Sequence, residues 1–154
     1  MTDPFARLAE LGLELPPVTA PLAAYVPAVQ TGNHVYVSGQ VPIADGKVLA
    51  TGRVGAEVTI EEAAALARRC GLNALAAVDD LVGLARVVRV VKVVGFVAAA
   101  PGFTDVPVVI NGASELFGEV FGEAGRHARS AVGVAELPRG VPVEVEAIFE
   151  VGAA

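Results

Sequence analysis

Arg129 and Glu144, fifteen residues apart, are the two side chains of this sequence best suited to act together on a small molecule. Arg129 stands near the start of Ala128-Arg129-Ser130-Ala131-Val132-Gly133-Val134-Ala135-Glu136-Leu137-Pro138, and Glu144 lies in Val143-Glu144-Val145-Glu146-Ala147. A guanidinium offers a rigid fork of donors that matches a carboxylate in bidentate fashion. A glutamate nearby can hold or activate a water. The pair would therefore suit a site that captures a small carboxylic acid and adds water to it. The same residues also fit a plainer arrangement, two adjacent strands joined by a Pro/Gly turn and carrying a surface ion pair, which contributes little.

The elements that must position these groups are legible in part. Asp3 followed by Pro4 is a helix start, and Phe5, Leu8, Ala9, Leu11 and Leu13 continue a short amphipathic helix that Pro16-Pro17 must stop. Residues 34–38 alternate as a strand, and Asp45-Gly46 between Ile43 and Val48 signals a hairpin turn. Thr59-Ile60-Glu61-Glu62 is a capping box that opens a long helix over about residues 60–79, with Ile60, Ala64, Ala67, Leu75 and Val78 on its buried face. Residues 87–98 are apolar on both faces, as in a central strand. Pro107, Val109, Ala113, Leu116, Phe117, Val120 and Phe121 give a second helix, ended by Gly122 and Gly125. Residues 130–134 and 143–151 then form a final strand pair. The last strand alternates Val143, Val145, Ala147, Phe149 and Val151 against Glu144, Glu146, Ile148 and Glu150. This order implies an α+β domain spanning 1–154, a sheet with two helices on one face preceded by a short N-terminal helix and lead-in over residues 1–20.

Composition narrows the function. Hydrophobic residues make up 54% of the chain and mean hydropathy is +0.60, a surplus that subunit packing would absorb. The run 87–100 is broken by Arg89 and Lys92, so no segment reaches the ~18–20 apolar residues of a membrane span. A net charge of -6, a pI near 4.9 and no basic cluster argue against nucleic acid as partner. Cys70 is the single cysteine and His34 and His127 the two histidines, too few for a multi-cysteine zinc site or a dedicated transition-metal site. Cys70 falls among apolar helix positions and reads as a small buried hydrophobe. The start, Met1-Thr2-Asp3-Pro4-Phe5, lacks the basic region of a secretory signal, so the expected location is the cytoplasm.

The Arg-Ser-Ala-Val-Gly-Val-Ala-Glu-Leu-Pro stretch with Val-Glu-Val-Glu-Ala-Ile behind it resembles the C-terminal signature of the Rid family of reactive intermediate deaminases (YjgF/RidA-like). A second match lies a hundred residues upstream, in Tyr25-Val26-Pro27-Ala28-Val29-Gln30-Thr31-Gly32-Asn33 followed by Val37-Ser38-Gly39-Gln40-Val41-Pro42. The resemblance covers roughly residues 20–151, with the opening helix and residues 95–111 closer to a longer subgroup. It implies the chorismate-mutase-like fold, a homotrimer with clefts between subunits, and hydrolysis of enamine or imine acids such as 2-aminoacrylate to 2-keto acids and ammonium. No cofactor is implied. Arg129 would bind the substrate carboxylate and Glu144 would hold the water. Tyr25 would supply a hydroxyl, Gly39 a close approach of backbone to ligand, and Ser130 and Ala131 backbone amides. Asn111 falls near the family's helix-start asparagine, one residue off in its spacing to Arg129.

Each of these residues also has a plainer reading. Tyr25 fits half-buried packing, Gly39 a strand-end turn, and the glutamates of the last strand a solvated face. Ala131 stands where archetypal members often carry cysteine, which removes thiol-mediated regulation there. Gly133 replaces a frequent glutamate. His127 replaces an expected proline, and a lone loop histidine reads as a solvated side chain, although it could titrate near neutral pH. A carboxylate- or 2-keto-acid-binding sensor without turnover is the alternative function. A ribonuclease, a label given to some relatives, fits poorly with the acidic charge and the lack of a histidine pair.

Overall fold

A computed structural model describes residues 2–18, 20–21 and 23–154. One five-stranded sheet runs in the order β1-β2-β7-β5-β6, from β1 (Ala28–Thr31), β2 (His34–Gln40), β5 (Val87–Ala98), β6 (Ala128–Val134) and β7 (Val143–Val151). A separate two-stranded ribbon pairs β3 (Ile43–Ala44) with β4 (Lys47–Val48) around the Asp45-Gly46 turn. Helices α2 (Ile60–Val82) and α3 (Val106–Phe121) lie against one face of the large sheet, and the short α1 (Pro4–Glu10) packs against α3.

Local sequence explains where the helices begin and end. Asp3 caps α1 by accepting from the Phe5 amide, with Pro4 in the first turn. The helix ends earlier than the apolar pattern suggests, because Gly12 turns the chain at φ +70° well before Pro16. Thr59 and Glu62 form the reciprocal capping box that opens α2. Helices α2 and α3 cross closely because Gly112 has no side chain: a methyl there would overlap the Ala64 carbonyl.

The core lies between the helices and the sheet. Val90, Val93 and Val97 of β5 and Val143, Val145 and Phe149 of β7 are fully buried against Leu75, Val78, Ile110, Leu116 and Phe117. Among the described residues, no helix covers the opposite sheet face. Val29, Tyr36, Lys92, Val94, Glu146 and Ile148 line a hollow of about 230 Å³ there, and Val29 is 54% and Tyr36 43% exposed.

The strand pairing corrects the sequence reading in one place. β6 and β7 are not partners: β5 lies between them, antiparallel to β7 and parallel to β6. A parallel pair needs a long crossover, which α3 supplies, so the Leu137–Gly140 turn spans two strand positions instead of closing a hairpin. The centre of the sheet is thus β7, and β6 is an edge.

Candidate active site

Arg129 sits on β6 level with Val93 and Ala147, so its side chain leaves on the helix face. There α3 receives it. Nη1 donates to Asn111 Oδ1 at 2.8 Å and to Ser114 Oγ at 3.2 Å, and Nη2 donates to the Pro107 carbonyl at 3.3 Å. Positions 107, 111 and 114 follow one another at four and three residues, which places them in one stripe along the helix. Three of the five guanidinium protons are thereby engaged. Nε and Nη2, which together form one edge of the fork, retain donors for a carboxylate.

His127 completes this cluster. Its Nδ1 lies 2.6 Å from the Gly125 carbonyl and its Nε2 2.9 Å from Ser114 Oγ, while the ring meets Phe117 edge-on at 6.0 Å. Burial, and more weakly the neighbouring Arg129 charge, push the imidazole below its ordinary value of 6.5 despite the opposing pull of the Gly125 carbonyl.

Glu144 belongs to a second cluster, around the β2–β7 border. The register of that pair shifts between Val37 and Gln40, a bulge that frees Ser38 and Gly39 from the ladder. Ser38 pins the bulge to the preceding segment: its hydroxyl donates to the Val26 carbonyl at 2.6 Å and its amide to Pro27 at 2.9 Å. That bond brings Tyr25 beside Gly39. Behind the bulge, Asn73 of α2 donates to the carbonyls of Val41 and Ile43 and Arg69 donates to Ile43, which ties the loop to the core. Tyr25, Pro27, Gly39, Val41, Pro138 and Glu144 line a narrow hollow of about 40 Å³. Burial, seconded by the charge of Glu146, pushes the Glu144 carboxyl above its ordinary 4.5.

Comparison with known proteins agrees with this architecture. Residues 5–141 match a family model described as "YjgF/chorismate mutase-like, putative endoribonuclease". Protein TCP17 of Trypanosoma cruzi is 48% identical over 147 residues, covering 94% of this chain and 92% of that one. The chain belongs to the YjgF/RidA family. Among its other YjgF/RidA relatives, the 2-iminobutanoate/2-iminopropanoate deaminase of Escherichia coli K12 is 37% identical over 131 residues, covering 84% of this chain and 88% of that one. The crystal structure of Atu1372 from Agrobacterium tumefaciens, a protein of unknown function, superposes with a TM-score of 0.90 at 45% identity, covering 98% of this chain and 94% of the other. The α+β sheet with its helices is the chorismate-mutase-like fold of this family.

In this YjgF/RidA chain the residues singled out from sequence fall into two groups. Arg129 meets Asn111 directly, despite the one-residue difference in spacing; Tyr25, Gly39 and Glu144 share the other hollow. The two groups do not meet within one chain. Glu144 is level with Phe96 and Val132, three residues beyond Arg129 and two strands away, which separates the backbones by on the order of 14 Å. The side chains also leave opposite faces of the sheet, since Glu144 alternates with buried Val143 and Val145 whereas Arg129 faces α3. The surface ion pair considered from sequence is therefore not formed.

Three details refine the expectations. Ser130 faces the open side, its hydroxyl 3.4 Å from Lys92 Nζ, whereas Ala131 lies on the Arg129 side and packs against the core; both are on an edge strand whose outer backbone groups are unclaimed by β5. Gly39 is required by a neighbour within the protein: a methyl there would overlap the Glu144 carboxylate. His127 is half-buried instead of solvated, and Ser114 escaped sequence reasoning altogether. The signal for Ser114 was its place one turn beyond Asn111, on the stripe that begins at Pro107.

Proposed function

We propose that this protein hydrolyses reactive enamine and imine acids of the 2-aminoacrylate type to 2-keto acids and ammonium. The observation that carries this reading is the Arg129 guanidinium, fixed by three acceptors on α3 with Nε and one Nη2 proton left as donors that suit a ligand carboxylate. Relatives that bear the deaminase name support it. Because Glu144 leaves the other face of the sheet, the site is proposed to form between subunits, with Arg129 and Asn111 from one copy and Tyr25, Gly39 and Glu144 from the next. The uncovered apolar face around Val29, Tyr36, Val94 and Ile148 supports a homotrimer as the assembly that supplies this neighbour.

In the reaction, Arg129 holds the carboxylate and so fixes the adjacent C=N carbon. Glu144 takes a proton from water as the water oxygen bonds to that carbon, and the proton is relayed to nitrogen. Collapse of the resulting carbinolamine breaks the C–N bond, leaving the 2-keto acid and ammonia, which takes up a proton as ammonium. A raised carboxyl pKa suits this double duty, since the same group must accept and return a proton. Neither a metal nor an organic cofactor enters these steps, because a protonated imine is already electrophilic.

A second reading, a 2-keto-acid-binding module without useful turnover, is favoured by one fact: the carboxylate anchor is built within a single chain and needs no glutamate. The deciding experiment follows ammonium and 2-keto acid from freshly generated 2-aminoacrylate, above the spontaneous rate. Acceleration that is lost in both Arg129→Ala and Glu144→Gln is expected. Binding of a 2-keto acid with no acceleration by the folded wild type would leave the binding module.

A further inference from the structure

We propose that His127 is a positioning residue for the carboxylate anchor, acting on Arg129 through the hydroxyl of Ser114. The proposal rests on the reading of Arg129 as that anchor. Its starting point is the direction of the hydrogen bonds, which the chemistry of each group decides. A carbonyl oxygen only accepts, so at 2.6 Å from Gly125 O the His127 Nδ1 must carry the proton. In the neutral ring Nε2 is then the acceptor, and the Ser114 hydroxyl, 2.9 Å away, donates to it. With its proton committed to His127, the Ser114 oxygen turns lone pairs toward Arg129 Nη1 at 3.2 Å. The result is a one-way chain from Arg129 to Ser114 to His127 to the Gly125 backbone.

The surroundings keep this chain in its working state. Burial of the imidazole favours its neutral form, in which Nε2 accepts. Phe117 packs against the His127 ring and Gly125 is buried, so the accepting end of the chain is held in place. Hydrogen bonds arranged head to tail also polarise one another. Without Ser114, Nη1 would keep, among the described residues, only Asn111, an exposed contact, and the long side chain would regain rotamers that lead the fork away from a ligand. Because the carboxylate is held alike in ground and transition states, the loss should fall on affinity and leave the chemical step nearly unchanged.

The test compares wild type, Ser114→Ala, His127→Phe and the double variant, with His127→Phe keeping the ring contact to Phe117. Three quantities are read: the dissociation constant of pyruvate, KM and kcat for 2-aminoacrylate, and the Arg129 Nε–H resonance of the ligand-free protein, assigned by its loss in Arg129→Lys. Each single variant should raise Kd and KM about three- to tenfold, with kcat held within about twofold. The double variant should be no worse than the singles, since both break one chain. The Nε–H resonance should weaken or broaden in both. Wild-type constants and an unchanged resonance in Ser114→Ala would overturn the proposal, as would additive losses in the double variant. If wild type neither binds pyruvate nor turns over substrate, the anchor reading fails separately. The resonance still decides: its loss in both variants upholds the positioning role and its persistence ends it.

Discussion

Arg129 lies among oxygen acceptors supplied by one helix, whereas Glu144 keeps its half-buried carboxyl in a narrow hollow with the charge of Glu146 nearby. The first group is held by directed bonds to neighbours on one helix. The second is tuned by its medium, and its readiness to take a proton is the adjustable quantity. The assemblies differ in range too. The arginine cluster draws on residues 107–129, a helix and the strand after it, while the glutamate cluster joins residues 25, 39 and 144 across nearly the whole chain. Under the proposed roles, the binding group profits from rigidity that local structure can supply, and the proton-transfer group takes its environment from distant segments.

That contrast can be broken most forcefully at Glu144. Glu144→Gln keeps the shape and removes the base, so kcat should fall by about 10²–10⁴ while pyruvate affinity stays near wild type. A parallel loss of affinity in direct binding measurements would mean that the two clusters do not divide the labour. Arg129→Ala should do the converse, raising Kd for pyruvate by about a hundredfold, and Arg129→Lys should recover little of it, because an ammonium cannot form the two-pronged contact. Gly39→Ala is the subtler probe. The new methyl occupies space that the Glu144 carboxylate now fills, so the carboxylate must shift, and kcat should drop about tenfold with KM little changed. Gentlest is Glu146→Gln. In the proposed reaction the base form of Glu144 is the active one, so wild-type kcat/KM should decline as pH falls, with a midpoint above 4.5. Removing the neighbouring charge should move that acid limb to lower pH; a limb that stays in place would assign the wild-type shift to burial alone.

Sequence carried the local half of this picture. The capping box at Thr59, the Asp3-Pro4 helix start, the buried stripe of α3 and the alternation of β7 all depend on residues a few positions apart, and each element formed where those patterns lie. Strand order does not depend on neighbours. The insertion of β5 between β6 and β7 is decided by how α3 crosses the sheet, and no turn residue at 137–140 encodes it. β1 was hidden for a different reason: its four residues, mostly exposed, carry too few alternations to read as a strand. Among site residues, Arg129 and Glu144 stood out by residue type and spacing, and Asn111, Tyr25 and Gly39 came to notice through family resemblance; neither signal says which face a residue leaves. The division into two clusters therefore had to come from the register. His127 was visible but looked solvated, since the serine that binds it lies thirteen residues back on a helix.

The departure of Arg129 and Glu144 from opposite faces has a consequence that belongs to genetics. If each site borrows its glutamate from the next copy, a lesion at one residue and a lesion at the other injure different halves of every site. Arg129→Ala and Glu144→Gln subunits, each inert alone, would then complement when dissociated and reassembled together. A ring containing both kinds restores one intact site, so a random equal mixture should regain about a quarter of wild-type activity. Two broken proteins would make a partly working one.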